Sequence, residues 1–316
     1  MEDLKVSIIT AAYNAENFLG RTLESAIGQT YKNIEHIVID DGSKDGTIDV
    51  LRKYQNRYNL KFVSKKNGGQ SNALNYAVSL ADGHFVAFLD HDDEWAPEKI
   101  EKQVDMFLSS NNPKLGIVAC DGLAVIRKNA GETPAVENIY MPRNWDNRYD
   151  LLNQILAFTP VHMSGVMVKT TVFKDCCYFD SKIRWGVDWD VVVQLLGKYE
   201  FDFVSEPLFY YNIEGQNTTT NMSQEAILRD MAYLTDKHNS MYIQHPDAYI
   251  RVMRMIGLGY LRVGKNKIAR NYFMKSIRTT KKDIRAYVFW LFSFLGWRSM
   301  EKLLMCWRGF LHITKR

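Results

Sequence analysis

Between residues 4 and 120 two hydrophobic periods alternate, and that alternation limits the fold more than any other feature of the chain. Short apolar, β-branched runs read as buried strands: "LKVSIITAAYN" (4–14), "IEHIVID" (34–40), "LKFVS" (60–64), "HFVAFLD" (84–90) and "LGIVAC" (115–120). Between them stand "ENFLGRTLESAIGQ" (16–29), "DGTIDVLRKYQNRY" (45–58), "QSNALNYAVSLA" (70–81) and "PEKIEKQVDMFLSS" (97–110), which read as helices. In the first of these Leu19, Leu23, Ala26 and Ile27 share one face. Asn14 and Asp45 are the expected caps of the first two, and Pro97 takes a first-turn position in the fourth. Strands alternating with helices predict an α/β fold, a mostly parallel sheet wrapped by helices. Ligands of such sheets bind beyond the carboxyl ends of the strands. Tyr13-Asn14, Asp40-Asp41 and Asp90–Asp93 all fall at such ends.

The rest of the chain is less regular. Residues 121–150 read as irregular, 162–169 as a strand, 187–199 as a helix, 201–212 as strand pieces and 214–221 as a polar loop. From 223 the pattern is helical. Two domains are therefore expected, 1–222 and a helical region 223–316. Their charges differ: residues 251–316 hold 16 Lys/Arg and 2 Asp/Glu, a net +14, whereas residues 1–250 carry −10. Cys120, Cys176, Cys177 and Cys306 form no C-x-x-C, which suits reduced thiols. With no basic-then-apolar leader read at the N-terminus, a cytoplasmic location is expected.

"FVAFLDHDDEW" (85–95) packs four carboxylates into five residues at the end of a core strand. Like charges that close repel, and desolvation adds to the cost. The D-x-D spacing of Asp90 and Asp92 suits a hard divalent ion that leaves positions for substrate phosphates; a solvated acidic loop is the plainer alternative. In "DDGSKDGT" (40–47) Asp41, Ser43, Asp45 and Gly46 fit the start of a calcium loop, but the position that needs a bidentate Glu is Arg52. An Asx-type turn explains Gly42 to Gly46 and leaves the adjacent acids Asp40 and Asp41 unexplained. Gly68-Gly69 before a helix could admit a phosphate or make a plain turn. In "RWGVDWD" Asp188 and Asp190 open a helix, where acids suit the dipole, while Trp185 and Trp189 beside them offer faces for sugar rings. His162 lies beside a strand as a core or rim histidine. There is no H-E-x-x-H, nucleophile elbow or G-x-G-x-x-G.

Taken in order, "VSIITAAYN", "IVIDDGSKDGT", "NGGQSNALN", "ADGHFVAFLDHDDEWAPEKI" and "GVDWD" resemble the family 2 glycosyltransferases over about residues 4–220. The resemblance implies a GT-A fold, Rossmann-like, with a C-terminal helical extension, and an inverting enzyme using a nucleotide-sugar donor, a UDP-sugar first among them. It implies that Thr10, Ala12 and Tyr13 line the nucleoside pocket, that Asp41 accepts from the base, and that Gly68, Gly69 and Asn72 lie near the donor. Asp90 and Asp92 match the D-x-D pair holding Mn²⁺ or Mg²⁺, with Asp92 the closer ligand. Asp188 matches the catalytic base, although Val187 stands where the family usually has Glu. Trp185, Trp189 and His162 are the candidates for acceptor contact. The loop 214–221 corresponds to a segment that closes over the donor; its usual His is absent and Gln216 and Asn217 stand nearby.

The expected activity is sugar transfer to a glycan or lipid-linked acceptor in cell-surface polysaccharide synthesis. Two rival readings fit the residues less well. A sugar-nucleotide nucleotidyltransferase would need a Gly-rich basic loop after the first strand, which "TAAYNAENF" is not. An inactive carbohydrate-binding scaffold would not need Asp92 and Asp188. The segment 283–316 is too short in its uncharged run, Ala286 to Trp297, to span a bilayer. Leu303, Leu304, Trp307 and Leu311 share a helical face, with Lys302, Arg308, Lys315 and Arg316 supplying charge, so the segment suits an anionic membrane surface at the inner face of the cell membrane. The alternative is packing on the catalytic domain or on a second subunit, as in a homodimer. Nucleic acid is not expected as a partner, because no fold signature accompanies the charge.

Overall fold

The structure, a computed structural model, describes residues 4–126, 134–139, 147–159, 161–213 and 222–297. In chain order the elements are β1 (Val6–Ala12), α1 (Leu19–Ile27), β2 (Ile34–Asp40), α2 (Thr47–Tyr54), β3 (Leu60–Ser64), α3 (Gln70–Leu80), β4 (Phe85–Phe88), β5 (Glu94–Trp95), α4 (Lys99–Ser109), β6 (Leu115–Ile126), β7 (Ala135–Ile139) and α5 (Arg148–Ile155). A 3₁₀ turn (Met163–Gly165) then leads into β8 (Val166–Lys169), α6 (Thr170–Cys176), α7 (Val187–Leu196) and β9 (Glu200–Ile213). Five helices follow: α8 (Gln224–Lys237), α9 (Asn239–Gln244), α10 (Pro246–Arg262), α11 (Asn266–Thr279) and α12 (Ile284–Phe292).

The chain divides into two compact units, one of residues 1–148 and 160–220 and one of residues 149–159 and 221–316. The first is built on a single sheet in the order β3-β2-β1-β4-β8-β6-β9-β5, with β7 paired to β6. β3, β2, β1 and β4 are parallel, as the alternation predicts. β1 and β2 are buried along nearly their whole length because helices cover both faces, which is why their sequences are continuous apolar runs. Beyond β4 the sheet departs from a simple parallel order. β8 inserts antiparallel to both β4 and β6, β9 runs parallel to β6, and β5 is a two-residue antiparallel edge.

The second half of this unit differs from the sequence reading in three places. β6 runs on to Ile126 and pairs with β7, inside a stretch read as irregular. The strand expected at 162–169 begins with the 3₁₀ turn at Met163–Gly165. The pieces expected at 201–212 are one strand of 14 residues whose register shifts around Cys120, Asp121 and Gly122, so short-range periodicity breaks where the pairing does. The expected cap of α1 is also different. Asn14 has a positive φ of 49° and its side-chain oxygen accepts from Lys44 N at 2.9 Å, so it ties β1 to the loop after β2, and α1 starts at Leu19. The cap of α2 is Gly46 rather than the expected Asp45, which stands one residue earlier and accepts from Thr47 N at 3.1 Å and Thr47 Oγ1 at 2.5 Å.

In the second unit, α10 packs on α11 and α8 through small residues. A Cβ on Gly257 would lie 2.5 Å from the Phe273 ring, and one on Gly259 would lie 2.4 Å from Leu228. Asp283 caps α12, accepting from Ala286 N, and its carboxylate also takes the Ser276 hydroxyl and the Arg254 guanidinium, each at 2.6 Å. α12 turns an unusual face outward. Ile284, Tyr287, Val288 and Leu291, with Leu295 just beyond, follow helical spacing and are 39–75% exposed, while Ala286 opposite them is buried. Among the described residues no helix is long and apolar enough to cross a membrane.

Candidate active site

The carboxyl ends of β1, β2 and β4 open onto a cleft of about 680 Å³ in the first unit. Ala11, Ala12 and Tyr13 line it from β1, Asp41 from β2, Gly68 and Gly69 from the loop before α3, Asp92 from the turn after β4, and Arg184 and Val187 from the approach to α7. Residues far apart in sequence thus share one rim, as parallel topology requires.

The two acids after β2 have different partners. Asp40 is fully buried, with Ser43 N donating to one oxygen at 3.1 Å and the Ser64 hydroxyl to the other at 2.6 Å. It builds the turn. Asp41 faces the cleft, and its carboxylate receives Gly68 N at 3.0 Å, Gly69 N at 2.7 Å and the Lys65 ammonium. The Gly68-Gly69 amides considered for a phosphate are therefore engaged by Asp41. Gly69, at φ 89°, gives the backbone geometry that lets both N–H groups converge on it. Asn72 is exposed and donates to Gly68 O at 2.5 Å, bracing the same loop.

Thr10 and Ala12 part company as well. Ala12 lines the cleft, but Thr10 is fully buried, its hydroxyl donating to Leu89 O at 2.7 Å and meeting His36 Nε2 at 2.9 Å. It joins β1 to β4 beneath the floor. Tyr13 is 43% exposed at the rim.

The turn after β4 is pinned from several sides. The Thr22 hydroxyl donates to the carbonyls of His91 (2.9 Å) and Asp93 (2.8 Å). Arg21 Nη2 and Asn212 Nδ2 reach the Asp92 carbonyl at 3.3 and 2.9 Å, and His91 Nδ1 meets Ala11 O at 3.1 Å. Asp92 is the acid of this turn that lines the cleft. Burial, reinforced by Asp188, Asp93 and Asp92, holds the Asp90 carboxyl well above the usual range. Burial and the neighbouring Asp92 do the same to Asp93.

Asp188 lies in the first turn of α7, entered through Gly186 at φ 73°. Burial raises its carboxyl to about 6, partly offset by Met163 N, which donates to Oδ2 at 3.1 Å. Its proximity to Asp90 and Asp93 is what those acids register. Asp190, two residues on, is fully buried and takes a hydrogen bond from Gln194 at 3.0 Å, so the two acids of "GVDWD" point to different environments. Trp189 is 3% exposed and leaves no ring face for a sugar, whereas Trp185 is half-buried. The half-buried His162 packs at 4.9 Å from the Tyr211 ring and 5.8 Å from the Phe209 ring, and burial lowers it to about 4, so it is neutral at pH 7. No local sequence signal marks Tyr211; burial and all four acids raise its hydroxyl to about 12.

Among the described residues no three His, Cys, Asp or Glu side chains gather closely enough to hold a metal by themselves. The donor set fits a hard divalent ion held by one or two carboxylates with substrate oxygens completing its shell. Burial raises the carboxyls of Asp90, Asp93 and Asp188, and repulsion from neighbouring acids adds to it at Asp90 and Asp93; that repulsion is what such an ion would relieve. The loop 214–221, with Gln216 and Asn217, lies outside the described residues, as do residues 298–316 with Leu303, Leu304, Trp307 and Leu311.

The family model for glycosyl transferase family 2 matches residues 7–170. An uncharacterized glycosyltransferase of Rickettsia typhi is 30% identical over 225 residues, 69% of this chain and 67% of that protein. The chondroitin synthase of Pasteurella multocida is 30% identical over 217 residues, 68% of this chain and 21% of the synthase. The chain thus spans about two thirds of the rickettsial protein and about a fifth of the synthase. Two solved structures share the fold at low identity. S. aureus TarS 1–349 in complex with UDP-GlcNAc superposes at TM-score 0.57 and 19% identity, covering 92% of this chain and 79% of that one. The mannosyltransferase PcManGT from Pyrobaculum calidifontis, in complex with GDP-Man and Mn²⁺, gives 0.60 and 17%, covering 90% and 77%.

Proposed function

The chain belongs to glycosyl transferase family 2, and from that premise we propose that it transfers a sugar, with inversion, from a nucleoside-diphosphate donor to a hydroxyl of a glycan or lipid-linked acceptor, with Mn²⁺ or Mg²⁺ as cofactor. The observation that carries the reading is the meeting of Asp92, Asp90 and Asp188 at the carboxyl ends of the sheet, beside a cleft large enough for a nucleotide sugar. UDP-sugars are the first donors to test, supported by the UDP and UDP-GlcNAc complexes of TarS; the GDP-Man complex of PcManGT keeps GDP-sugars in the panel.

The residues divide the work as follows. Asp41, braced by Lys65 and the Gly68-Gly69 amides, faces the nucleoside end of the cleft with Ala12 and Tyr13. Asp92, with Asp90 behind it, would hold the cation, which when bound offsets the charge that grows on the departing diphosphate. Asp188 takes the proton from the acceptor hydroxyl. A carboxylate raised to about 6 is well matched to that role near neutral pH, being ionised and yet more basic than an ordinary Asp. Met163 N fixes one of its oxygens, leaving the other for the acceptor. Half-buried Trp185 and His162 remain the candidates for the acceptor side.

Association of 283–316 with an anionic membrane surface, at the cytoplasmic face, belongs to the same proposal. The outward apolar face of α12 supports it, with Ile284 75%, Leu291 60% and Leu295 63% exposed. The first experiment is thermal stabilisation by UDP- and GDP-sugars with and without Mn²⁺. Stabilisation by at least one donor, lost in EDTA, is expected; indifference to every donor in the presence of metal would remove the donor assignment.

A further inference from the structure

Asp93 and Ser164 have no role in the sequence reading, yet they lie where three segments of the cleft wall meet. Asp93 is 1% and Ser164 0% exposed. Asp93 Oδ2 accepts the Ser164 hydroxyl at 2.6 Å, and Asp93 Oδ1 accepts Asn212 N at 3.2 Å. The same Ser164 oxygen accepts Asp90 N at 3.1 Å, so the hydroxyl is used in both directions. On either side of Ser164 the backbone is held too. Met163 N donates to Asp188, the Ser164 carbonyl accepts Trp95 Nε1 at 2.7 Å, and the Gly165 carbonyl accepts Gln103 Nε2 at 2.9 Å.

From this geometry we infer that Asp93 and Ser164 are a pair of positioning residues that fix Asp188 against the Asp90–Asp92 turn and set where β9 ends at the cleft. The path is continuous and covalent between bonds. Asp188 is held by Met163, Met163 is bonded to Ser164, Ser164 holds Asp90 and Asp93, and Asp93 holds Asn212, one residue before the end of β9. Asp93 is not placed to serve as a cleft ligand, since both its oxygens point at protein donors and it lies under the surface; Asp92 is the acid of the turn that lines the cleft. A buried hydroxyl–carboxylate pair with all partners supplied is rigid and specific in geometry. That rigidity matters where an in-line displacement depends on the separation of base and leaving group.

The inference rests on the transferase reading for its kinetic arm and on the structure alone for the other. Asp93→Asn keeps a carbonyl for Asn212 N and turns the Ser164 bond round, its amide donating to the Ser164 oxygen, so both segments stay bridged without the charge. Asp93→Ala and Ser164→Ala remove them. In amide exchange by mass spectrometry, the Ala variants should speed exchange together in peptides covering residues 86–95, 161–167 and 208–213, and Asp93→Asn should not. In Mn²⁺-dependent hydrolysis of UDP-GlcNAc or GDP-mannose, each Ala variant should lower kcat by roughly 30- to 100-fold, the order set by sub-ångström misplacement. UDP affinity by calorimetry should stay within about twofold and Asp93→Asn should keep kcat within about fivefold, because its hydrogen bonds persist. The double Ala variant should be no worse than the poorer single, as expected of two groups acting as one.

Three results would overturn the inference: a loss in Asp93→Asn equal to that in Asp93→Ala, which would mean the charge acts directly; an unchanged kcat per folded molecule in the Ala variants, which would mean the pair serves stability alone; or faster exchange confined to the 86–95 peptide. Should the wild type hydrolyse neither donor, the transferase reading is what suffers, and the exchange arm still decides whether the three segments are fastened together.

Discussion

A divalent cation should stabilise this protein more at pH 7.5 than at pH 5, and the size of the difference follows from Asp188. Its carboxyl is raised to about 6 in the folded chain from an ordinary value of 3.8. Well below pH 3.8 the group is protonated in both states and costs nothing. Between 4 and 6 the folded state holds the proton more tightly than the unfolded state, so stability falls as pH rises. Above 6 the full penalty is present. At 1.36 kcal/mol for each pKa unit the full penalty is about 3 kcal/mol, of which about half is already present at pH 5. Asp90 and Asp93, also raised, act in the same direction. A cation beside the cluster offsets part of that penalty, so its advantage should be greater at the higher pH by up to about 1 kcal/mol, which for a unit of some 200 residues is up to roughly 2–4 °C in Tm. The assay is thermal unfolding at both pH values with and without Mn²⁺, in wild type and Asp92→Asn. Equal metal-induced shifts at the two pH values, or an undiminished shift in Asp92→Asn, would refute the reasoning.

Further expectations follow from single features. Gly42 sits at φ 76°, and a Cβ added there would lie only 2.8 Å from Asn67 N, so Gly42→Ala should cost about 1–3 kcal/mol of stability and, by pushing the 65–69 loop off Asp41, weaken UDP binding in calorimetry. Asp188 should give kcat/KM an acid limb near pH 6, activity rising with pH as the carboxyl ionises; a flat profile from pH 5 to 8 would exclude it as the titrating base. A chain truncated after Gly264 should lose binding to anionic liposomes while keeping nucleotide binding, and binding of the full chain should weaken with salt. Indifference of the full chain to such liposomes at low salt would make the segment after Gly264 a packing or subunit-contact element.

The sequence is most legible where one period rules. The parallel half of the sheet announces itself because β1, β2 and β4 are buried on both faces and leave uninterrupted apolar runs. The polar residues just past those runs then have to share a rim. It is least legible where partners are distant. Asp40 and Asp41 are adjacent and alike in sequence, and only the positions of Ser43, Ser64 and Gly69 assign one to the turn and the other to the cleft. Gly68-Gly69 looks like a phosphate loop because its true partner, Asp41, is 27 residues away. Trp189 beside two acids suggests a sugar platform, yet the helical period that sets Asp188 near Asp90 carries Trp189 into the core. Nothing local marks Asp93, Ser164 or Asn212, whose bonds span 71 and 119 residues. β8 reads as a strand, but its antiparallel insertion between β4 and β6 depends on pairing that composition does not encode.

The central claim is that Asp188 is the base of a metal-dependent sugar transfer, and single-turnover measurement on two Asn variants tests it most directly. Wild type, Asp188→Asn and Asp190→Asn are each mixed with the donor found by thermal shift, Mn²⁺ and an acceptor glycan, and release of the nucleoside diphosphate is timed beside calorimetric donor binding. Asp188→Asn should bind donor near wild-type strength and be slowed by roughly 10²- to 10⁴-fold, the loss expected of a missing general base. Asp190→Asn, whose carboxylate is turned into the interior toward Gln194, should be slowed far less. Transfer near the wild-type rate by Asp188→Asn, or its abolition in Asp190→Asn alone, would contradict the account.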